Sequence, residues 1–170
     1  MEIAVVVDTN VIFAALVRSE GLNRYILTLY PELFPFFYPQ VVREEIIDHI
    51  DEIAKKAEIT PEEIEIAMEI IFEPMTPVSS SQLRHYKQEA RKYVWDLADA
   101  PFVACALVLK KEYDGVILLT WNIKDYKARK LKNLGIQVIT PSEFLKWIKE
   151  GEESHASSTG TTNISPKGSS

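Results

Sequence analysis

The sequence is poor in cysteine and has no long apolar run, and each shortage excludes a class of protein. Its 170 residues contain one cysteine, Cys105, so an internal disulfide framework and a cysteine-rich zinc site are both excluded. No apolar stretch approaches the ~18 residues that a membrane-spanning helix needs. The first residues also lack a basic segment followed by a long apolar one, so no secretory signal is predicted. We therefore expect a cytoplasmic protein without a membrane partner.

Glycine and histidine are also scarce, which excludes several classes of nucleotide-binding and catalytic site. The six glycines form no phosphate-cradling loop, and no Gly-x-Ser-x-Gly segment occurs, so P-loop, dinucleotide-binding and serine hydrolase activities have no support. His49, His85 and His155 lack the spacing of metal ligands. The formal charge of -6 argues against a protein that coats nucleic acid through bulk charge. Any contact with nucleic acid must come from a local basic patch.

What the sequence does contain is an ordinary apolar fraction of 46%, which suits one domain over residues 1–150. Continuous apolar runs at 3–7 and 115–119 predict strands buried on both faces. Shorter strands are predicted over 34–38, 75–78 and 137–139. Apolar spacing and capping residues predict helices between the strands, over 11–17, 22–29, 41–53, 60–72, 81–93, 97–109, 123–134 and 141–149. This alternation predicts an α/β fold of three layers, α/β/α, with a central, mostly parallel sheet.

Residues 151–170 differ from the rest of the chain. They consist mainly of Ser, Thr, Gly, Asn and Pro and contain almost no apolar residue. Such a segment cannot bury enough surface to offset the entropy lost on ordering. We predict a low-complexity tail outside the domain, either a disordered native segment or an appended sequence.

Acidic residues follow the predicted strands where a parallel sheet places its ligands, in the crevice beyond the carboxyl ends of the strands. Asp8 follows the first buried strand and Asp125 the fourth, while Glu44 and Glu45 lie early in the helix after the second. Asp99 begins an apolar helix and lies on its apolar face. Carboxylates that converge on one crevice repel one another unless a cation is bound, and oxygen ligands with little histidine nearby select Mg²⁺ or Mn²⁺.

A simpler interpretation treats the same acids as helix caps. Asp8 and Asp99 stand at predicted helix starts and Asp125 in a first turn, where the helix dipole favours a negative charge by ~0.3–1 kcal/mol. Glu45 is then a solvated helix residue. Each residue alone fits either interpretation, and their combination favours the metal site.

These acids lie in four segments whose order resembles the motifs of the PIN domain. The segments are DTNVIFAAL from Asp8, PQVVREEII ending at Ile47, DAPFVACAL from Asp99 and TWNIKDY from Thr120. The resemblance covers about residues 3–148 and includes the closing segment VITPSEFL. It is closest to stand-alone prokaryotic PIN proteins of the VapC toxin type.

The resemblance implies a Mg²⁺- or Mn²⁺-dependent endoribonuclease that hydrolyses RNA phosphodiesters as the toxin of a toxin–antitoxin pair. Its catalytic residues and metal ligands are then Asp8, Glu45, Asp99 and Asp125. Asn122 stands where the family often has aspartate, so we count it among the metal ligands and expect its neutral amide to lower metal affinity. For the same reason, a catalytically weak RNA-binding or regulatory PIN-like module remains the alternative function.

Three more residues in or beside these segments are expected to orient the metal ligands: Thr120, Asn10 and Asp96. Thr120 is able to hydrogen-bond Asp8 or a bound water. Asp96 lies one turn before Asp99 and fits a helix cap equally well.

A basic stretch directly follows the fourth segment. Its cations are predicted to bind RNA phosphates or to form an ordinary solvated helix face, and they are Lys124, Lys127, Arg129 and Lys130. Trp121, beside Asn122, is able to stack on an unpaired base, although packing at a strand end explains it as well.

The expected partners are RNA, a second copy of the chain and a small antitoxin, the last two implied by the resemblance. Residues 27–38 hold many large apolar and aromatic side chains between prolines. They predict either a homodimer surface that includes Phe36 and Phe37 or ordinary core.

Overall fold

Five parallel strands form the centre of the protein, whose computed structural model describes residues 2–154. The strands are β1 (Ile3–Val7), β2 (Phe36–Pro39), β3 (Thr76–Val78), β4 (Gly115–Leu119) and β5 (Ile136–Ile139), in the order β3-β2-β1-β4-β5. β1 and β4 are paired along their whole length, from Ile3 opposite Gly115 to Val7 opposite Leu119. Because these two strands are parallel and in register, the residues that follow them lie side by side.

Ten α-helices connect and cover the strands within the described residues. They are α1 (Thr9–Val17), α2 (Leu22–Leu29), α3 (Gln40–Asp48), α4 (Ile50–Ala57), α5 (Pro61–Phe72), α6 (Ser80–Arg84), α7 (Lys87–Ala90), α8 (Ala100–Lys110), α9 (Ala128–Asn133) and α10 (141–154). The predicted α/β fold with a parallel sheet is confirmed. None of the helices in residues 2–154 is both long and apolar enough to cross a membrane.

Local sequence explains where several helices begin. A capping box joins Thr60 and Glu63 at the start of α5, and another joins Ser79 and Gln82 at the start of α6. Helix α8 is apolar on nearly every face because it is buried against β1, β2 and β4. Its amino terminus therefore lies near the ends of the central strands.

Three predicted helices are interrupted in the structure. In the segment 123–134, Tyr126 and Lys127 separate a 3-10 turn (Ile123–Asp125) from α9. The other two breaks lie in the segments 41–53 and 81–93. The segment 41–53 divides into α3 and α4 at His49, whose φ of -120° and ψ of 20° leave the helical region. The segment 81–93 divides into α6, α7 and a 3-10 turn (Arg91–Tyr93). Apolar spacing continues across both breaks, so periodicity alone does not reveal them.

Helix α10 runs through residue 154, past its predicted end at 149 and into the segment assigned to the tail. The remainder of the predicted tail, with His155, lies outside the described residues.

The aromatic stretch 27–38 is mostly core. Phe36, Phe37 and Tyr38 belong to strand β2 and are buried, so the predicted dimer surface through Phe36 and Phe37 is wrong. Burial of both rings within strand β2 leaves no apolar surface there for a partner. Leu29 and Leu33 remain exposed on the surface.

Candidate active site

Asp8 is fixed at the carboxyl end of β1 by two neighbouring segments. Its backbone N–H donates to the carbonyl of Leu119, which continues the ladder of β1 and β4 past the strand end. Its side chain is buried, with 4% of the residue exposed. The carboxylate Oδ2 accepts hydrogen bonds from the Thr120 hydroxyl and the Tyr126 hydroxyl, each at 2.8 Å. Both side chains donate to Oδ2, so neither of them occupies Oδ1.

The capping interpretation has no support for Asp8 or Asp99. Each residue occupies the N-cap position of its helix, α1 or α8, yet neither side chain makes a capping hydrogen bond. Asp96 does act as a cap, because its Oδ1 accepts a hydrogen bond from the N–H of Ala98 at 3.0 Å. Neither side chain therefore forms the usual cap, and the helix N–H that bonds the Asp8 carboxylate is that of Thr9, the first residue of α1.

Thr120 and Asn10 form a polar network behind Asp8. Thr120 is fully buried, and its hydroxyl oxygen accepts hydrogen bonds from the Asn10 side-chain amide at 3.1 Å and the Asn122 N–H at 3.0 Å. The Asn10 side-chain oxygen accepts from the N–H of Trp121 at 3.0 Å. With these acceptor bonds in place, the Thr120 hydroxyl proton is directed to Asp8.

Tyr126 is the residue of this network that sequence reasoning missed. It is buried, and its hydroxyl donates to Asp8. Burial raises the pKa of the Tyr126 hydroxyl, and the neighbouring Asp8 carboxylate raises that pKa further. The hydroxyl therefore stays protonated and remains a donor. Its only signal in the sequence is its position directly after Asp125.

A short antiparallel pairing brings the third and fourth sequence segments together. Val94 and Tyr126 form a β-bridge. On either side of it, the N–H of Trp95 donates to the carbonyl of Asp125 at 3.2 Å, and the N–H of Lys127 donates to the carbonyl of Tyr93 at 2.8 Å. This pairing holds Asp125 beside the chain that leads into Asp99.

Three carboxylates interact electrostatically at this end of the sheet. Burial raises the pKa of Asp99 to about 6, and the charges of Asp8, Asp125 and Asp96 contribute to the rise. Burial also raises the pKa of Asp8, against hydrogen bonds from Tyr126, Thr120 and Thr9 that lower it, and Asp125 adds to the increase. The cluster of Asp8, Asp99 and Asp125 thus carries a negative charge that its surroundings do not fully compensate.

The cluster should make the metal-free protein less stable as pH rises. The pKa of Asp99 is 3.8 in the unfolded reference and about 6 in the fold, so the native state binds more protons between these values. Stability therefore falls as pH rises through this window. We expect Asp99→Asn to raise the melting temperature at pH ~7 by a few degrees and to have little effect below pH ~3.8. Thermal melts in EDTA measure this, with the exposed Asp51→Asn as control; a lower melting temperature at neutral pH contradicts it.

A groove of about 1120 Å³ opens beside the cluster. Asp8, Glu45 and Asp99 line it from α1, α3 and α8, and Glu45 is exposed there. Asp125 is half-buried and belongs to the acidic cluster, but it does not line the groove. Within residues 2–154, no three His, Cys, Asp or Glu side chains stand close enough to form a ready-made metal site. The donors are nevertheless all hard carboxylate oxygens around an uncompensated charge, which fits Mg²⁺ or Mn²⁺.

Several residues that the sequence assigned to the site lie outside the groove. Asn122 is exposed, and it is its backbone N–H that donates to Thr120. Trp121 is partly exposed, and its indole N–H donates to the Asn23 side chain at 2.7 Å, as expected for packing. The four cations predicted to bind RNA also lie beyond the groove lining: Lys124, Lys127, Arg129 and Lys130.

The groove instead contains two cations that sequence reasoning missed, Arg84 and Lys87. Both are exposed, and they come from α6 and α7. Apolar side chains that include Phe13 and Phe102 line the space between them and the acids. The signal was present as a run of cations in residues 84–92 with a single acid, Glu89. The groove is therefore lined by both acidic and basic side chains.

Comparisons with known proteins identify the family and the fold. No curated protein matches the sequence. Among solved structures, one chain of VapBC2 from Rickettsia felis, crystallised with a DNA fragment from their promoter, shares the fold with a TM-score of 0.57 and 16% sequence identity. The match covers 81% of this chain and 98% of that one. A model of the PIN domain family matches residues 6–112, which include Asp8, Glu45 and Asp99. The match spans more than half of the sequence, and the chain therefore belongs to the PIN domain family.

Proposed function

We propose that the protein is an endoribonuclease that uses Mg²⁺ or Mn²⁺ to hydrolyse RNA phosphodiesters. The observation that carries this proposal is the group of uncompensated carboxylates, Asp8, Asp99 and Asp125, at the ends of β1 and β4. Two of them stand at helix N-termini without capping them. Membership of the PIN domain family adds support, because PIN domains are generally nucleases.

Each residue has a role that follows from its position. Asp8, Glu45, Asp99 and Asp125 would hold the metal. When bound, the ion lowers the pKa of a water molecule and neutralises charge on the scissile phosphate. Thr120 and Tyr126 orient Asp8 through hydrogen bonds to one of its oxygens. The Val94–Tyr126 bridge keeps Asp125 beside the other acids.

Metal dependence separates this proposal from a catalytically weak RNA-binding module. The neutral Asn122 and the absence of a ready-made metal group in residues 2–154 favour that module. We expect the purified protein to cleave single-stranded RNA with added Mn²⁺ and to lose the activity in EDTA. Restoration of cleavage by excess Mn²⁺ is the control. Binding of RNA without cleavage at any Mn²⁺ concentration supports the module instead.

Tyr126→Phe should weaken metal binding without unfolding the protein. The substitution removes the hydroxyl that holds Asp8 Oδ2 and keeps the buried ring. Removal of a partner that orients a metal ligand typically costs 10- to 100-fold in metal affinity or activity. Calorimetric titration with Mn²⁺ measures the effect, and Tyr113→Phe, which changes a half-buried tyrosine packed on Phe37, is the matched control. Equal Mn²⁺ affinity in both variants argues against a positioning role for Tyr126.

We also propose that the enzyme acts as the toxin of a toxin–antitoxin pair, with a small antitoxin and a second copy of itself as partners. The structural relative was crystallised as VapBC2 with promoter DNA. With Phe36 and Phe37 buried, the apolar side chains available for a contact near this stretch are Tyr25, Leu29, Leu33 and Trp147. Light scattering at micromolar concentration tests the dimer, and a strict monomer contradicts it.

A further inference from the structure

Trp95 is the most exposed large apolar side chain among the described residues. Its exposed fraction is 71%, although the preceding residue, Val94, is buried. The bridge between Val94 and Tyr126 explains this alternation, because successive side chains of an extended segment point in opposite directions. An indole held open to water forgoes the free energy that burial would give it, about 25 cal/mol per Å² of apolar surface.

Lys127 lies against the Trp95 ring. Its ammonium nitrogen is 4.5 Å from the ring centroid, within the range of a cation–π interaction. The two residues are held at this spacing by the backbone pairing of residues 93–95 with 125–127. The pair therefore presents a flat aromatic face and a positive charge together, while most of the indole remains accessible.

The pair also adjoins the acidic cluster. The N–H of Trp95 donates to the carbonyl of Asp125, and Trp95 is followed by Asp96, which caps the turn that ends at Asp99. The Trp95 backbone is therefore next to Asp125, one of the carboxylates that would hold the metal. The exposed cations Arg91 and Lys92 lie just before this segment, in a turn that contacts α9.

We infer that Trp95 and Lys127 form a binding platform for one unpaired RNA base and its phosphate, beside the scissile bond. The indole stacks on the base and the ammonium pairs with the phosphate, a combination of aromatic and cationic contacts typical of single-strand binding. The choice of RNA rests on the proposed function. The stacking contact is sequence-tolerant, because every base has a π-face.

The experiment measures binding by the inactive variant Asp8→Asn, so that the RNA stays intact. The probes are an oligouridylate of about ten nucleotides and a matched abasic strand with the same phosphates. Introducing Trp95→Leu into the Asp8→Asn protein should weaken binding of the oligouridylate by about fivefold or more, since stacking contributes ~1–3 kcal/mol per base. It should leave binding of the abasic strand unchanged. Trp95→Phe should restore most of the affinity, and binding of the oligouridylate should quench indole fluorescence in the Asp8→Asn protein.

Trp147→Leu is the matched control, because this partly exposed tryptophan of α10 packs on Phe34, outside the pairing of residues 93–95 with 125–127. If Trp95→Leu lowers the affinity for both strands equally, or for neither, the platform is overturned. The proposed nuclease activity is tested separately, by cleavage with the wild type. If Trp95→Leu instead converts a dimer into a monomer, Trp95 belongs to a protein interface and the platform is overturned. Failure of the Asp8→Asn protein to bind either strand also overturns the platform, and absence of cleavage by the wild type separately contradicts the nuclease.

Discussion

Replacing Asp8 or Asp99 with asparagine should reduce metal-dependent RNA cleavage by at least about a hundredfold, comparable to the removal of one key electrostatic group in other active sites. Each substitution removes the charge of a proposed metal ligand and keeps the size of the side chain. Asp8 is the more informative position, because its carboxylate is already oriented by Thr120 and Tyr126. Initial cleavage rates on a fluorescent single-stranded RNA at saturating Mn²⁺ give the measurement.

The same variants should remain folded, which distinguishes a chemical defect from a structural one. Removing a carboxylate from the cluster relieves repulsion, so the melting temperature of each variant should equal or exceed that of the wild type in EDTA. Asp51→Asn on α4, a helix that contributes nothing to the groove lining, is the matched control and should keep full activity. Retained cleavage in both Asp8→Asn and Asp99→Asn would falsify the catalytic assignment.

The fold was largely predictable because the core strands carry their own signal. The apolar runs of β1 and β4 are too continuous for one-sided burial, and the structure places both at the centre of a parallel sheet. Breaks within helices were not predictable, because His49 interrupts a segment whose apolar spacing fits one helix. Burial of Phe36 and Phe37 depends on which strands flank β2, and a local pattern does not contain that information.

The site was predictable only in part. Asp8 and Asp99 are found together because strand ends and helix starts converge in this topology. Tyr126 was missed because its hydrogen bond to Asp8 spans 118 residues and requires a chain reversal after Asp125. Arg84 and Lys87 follow β3 through α6 and α7, and they were missed because no acidic residue stands near the end of that strand in the sequence. The prediction considered only cations that directly follow an acidic segment.

RNA binding should show which of these two sets of cations pairs with the phosphates. The groove pair, Arg84 and Lys87, shares a cavity with Asp8 and Asp99. The α9 pair, Arg129 and Lys130, is exposed and lies beyond the groove lining. Replacing either pair with glutamine removes two charges, so the two variants are matched in net charge. A strand that binds in the groove therefore enters a cavity that the first pair lines together with the acids.

We expect Arg84→Gln with Lys87→Gln to weaken RNA binding by roughly tenfold at physiological salt and to flatten the dependence of log affinity on log salt. Each phosphate of a single strand that the protein no longer neutralises reduces this slope by ~0.7, so the slope of the groove variant should fall by up to ~1.4. Arg129→Gln with Lys130→Gln should have a smaller effect, and Lys55→Gln with Lys56→Gln on α4 should have none. Titrations in the Asp8→Asn background over a range of salt concentrations measure the slopes. A full change of slope in the α9 variant and no change in the groove variant would contradict this prediction. The RNA would then lie along α9, and Arg84 and Lys87 would pair with no phosphate.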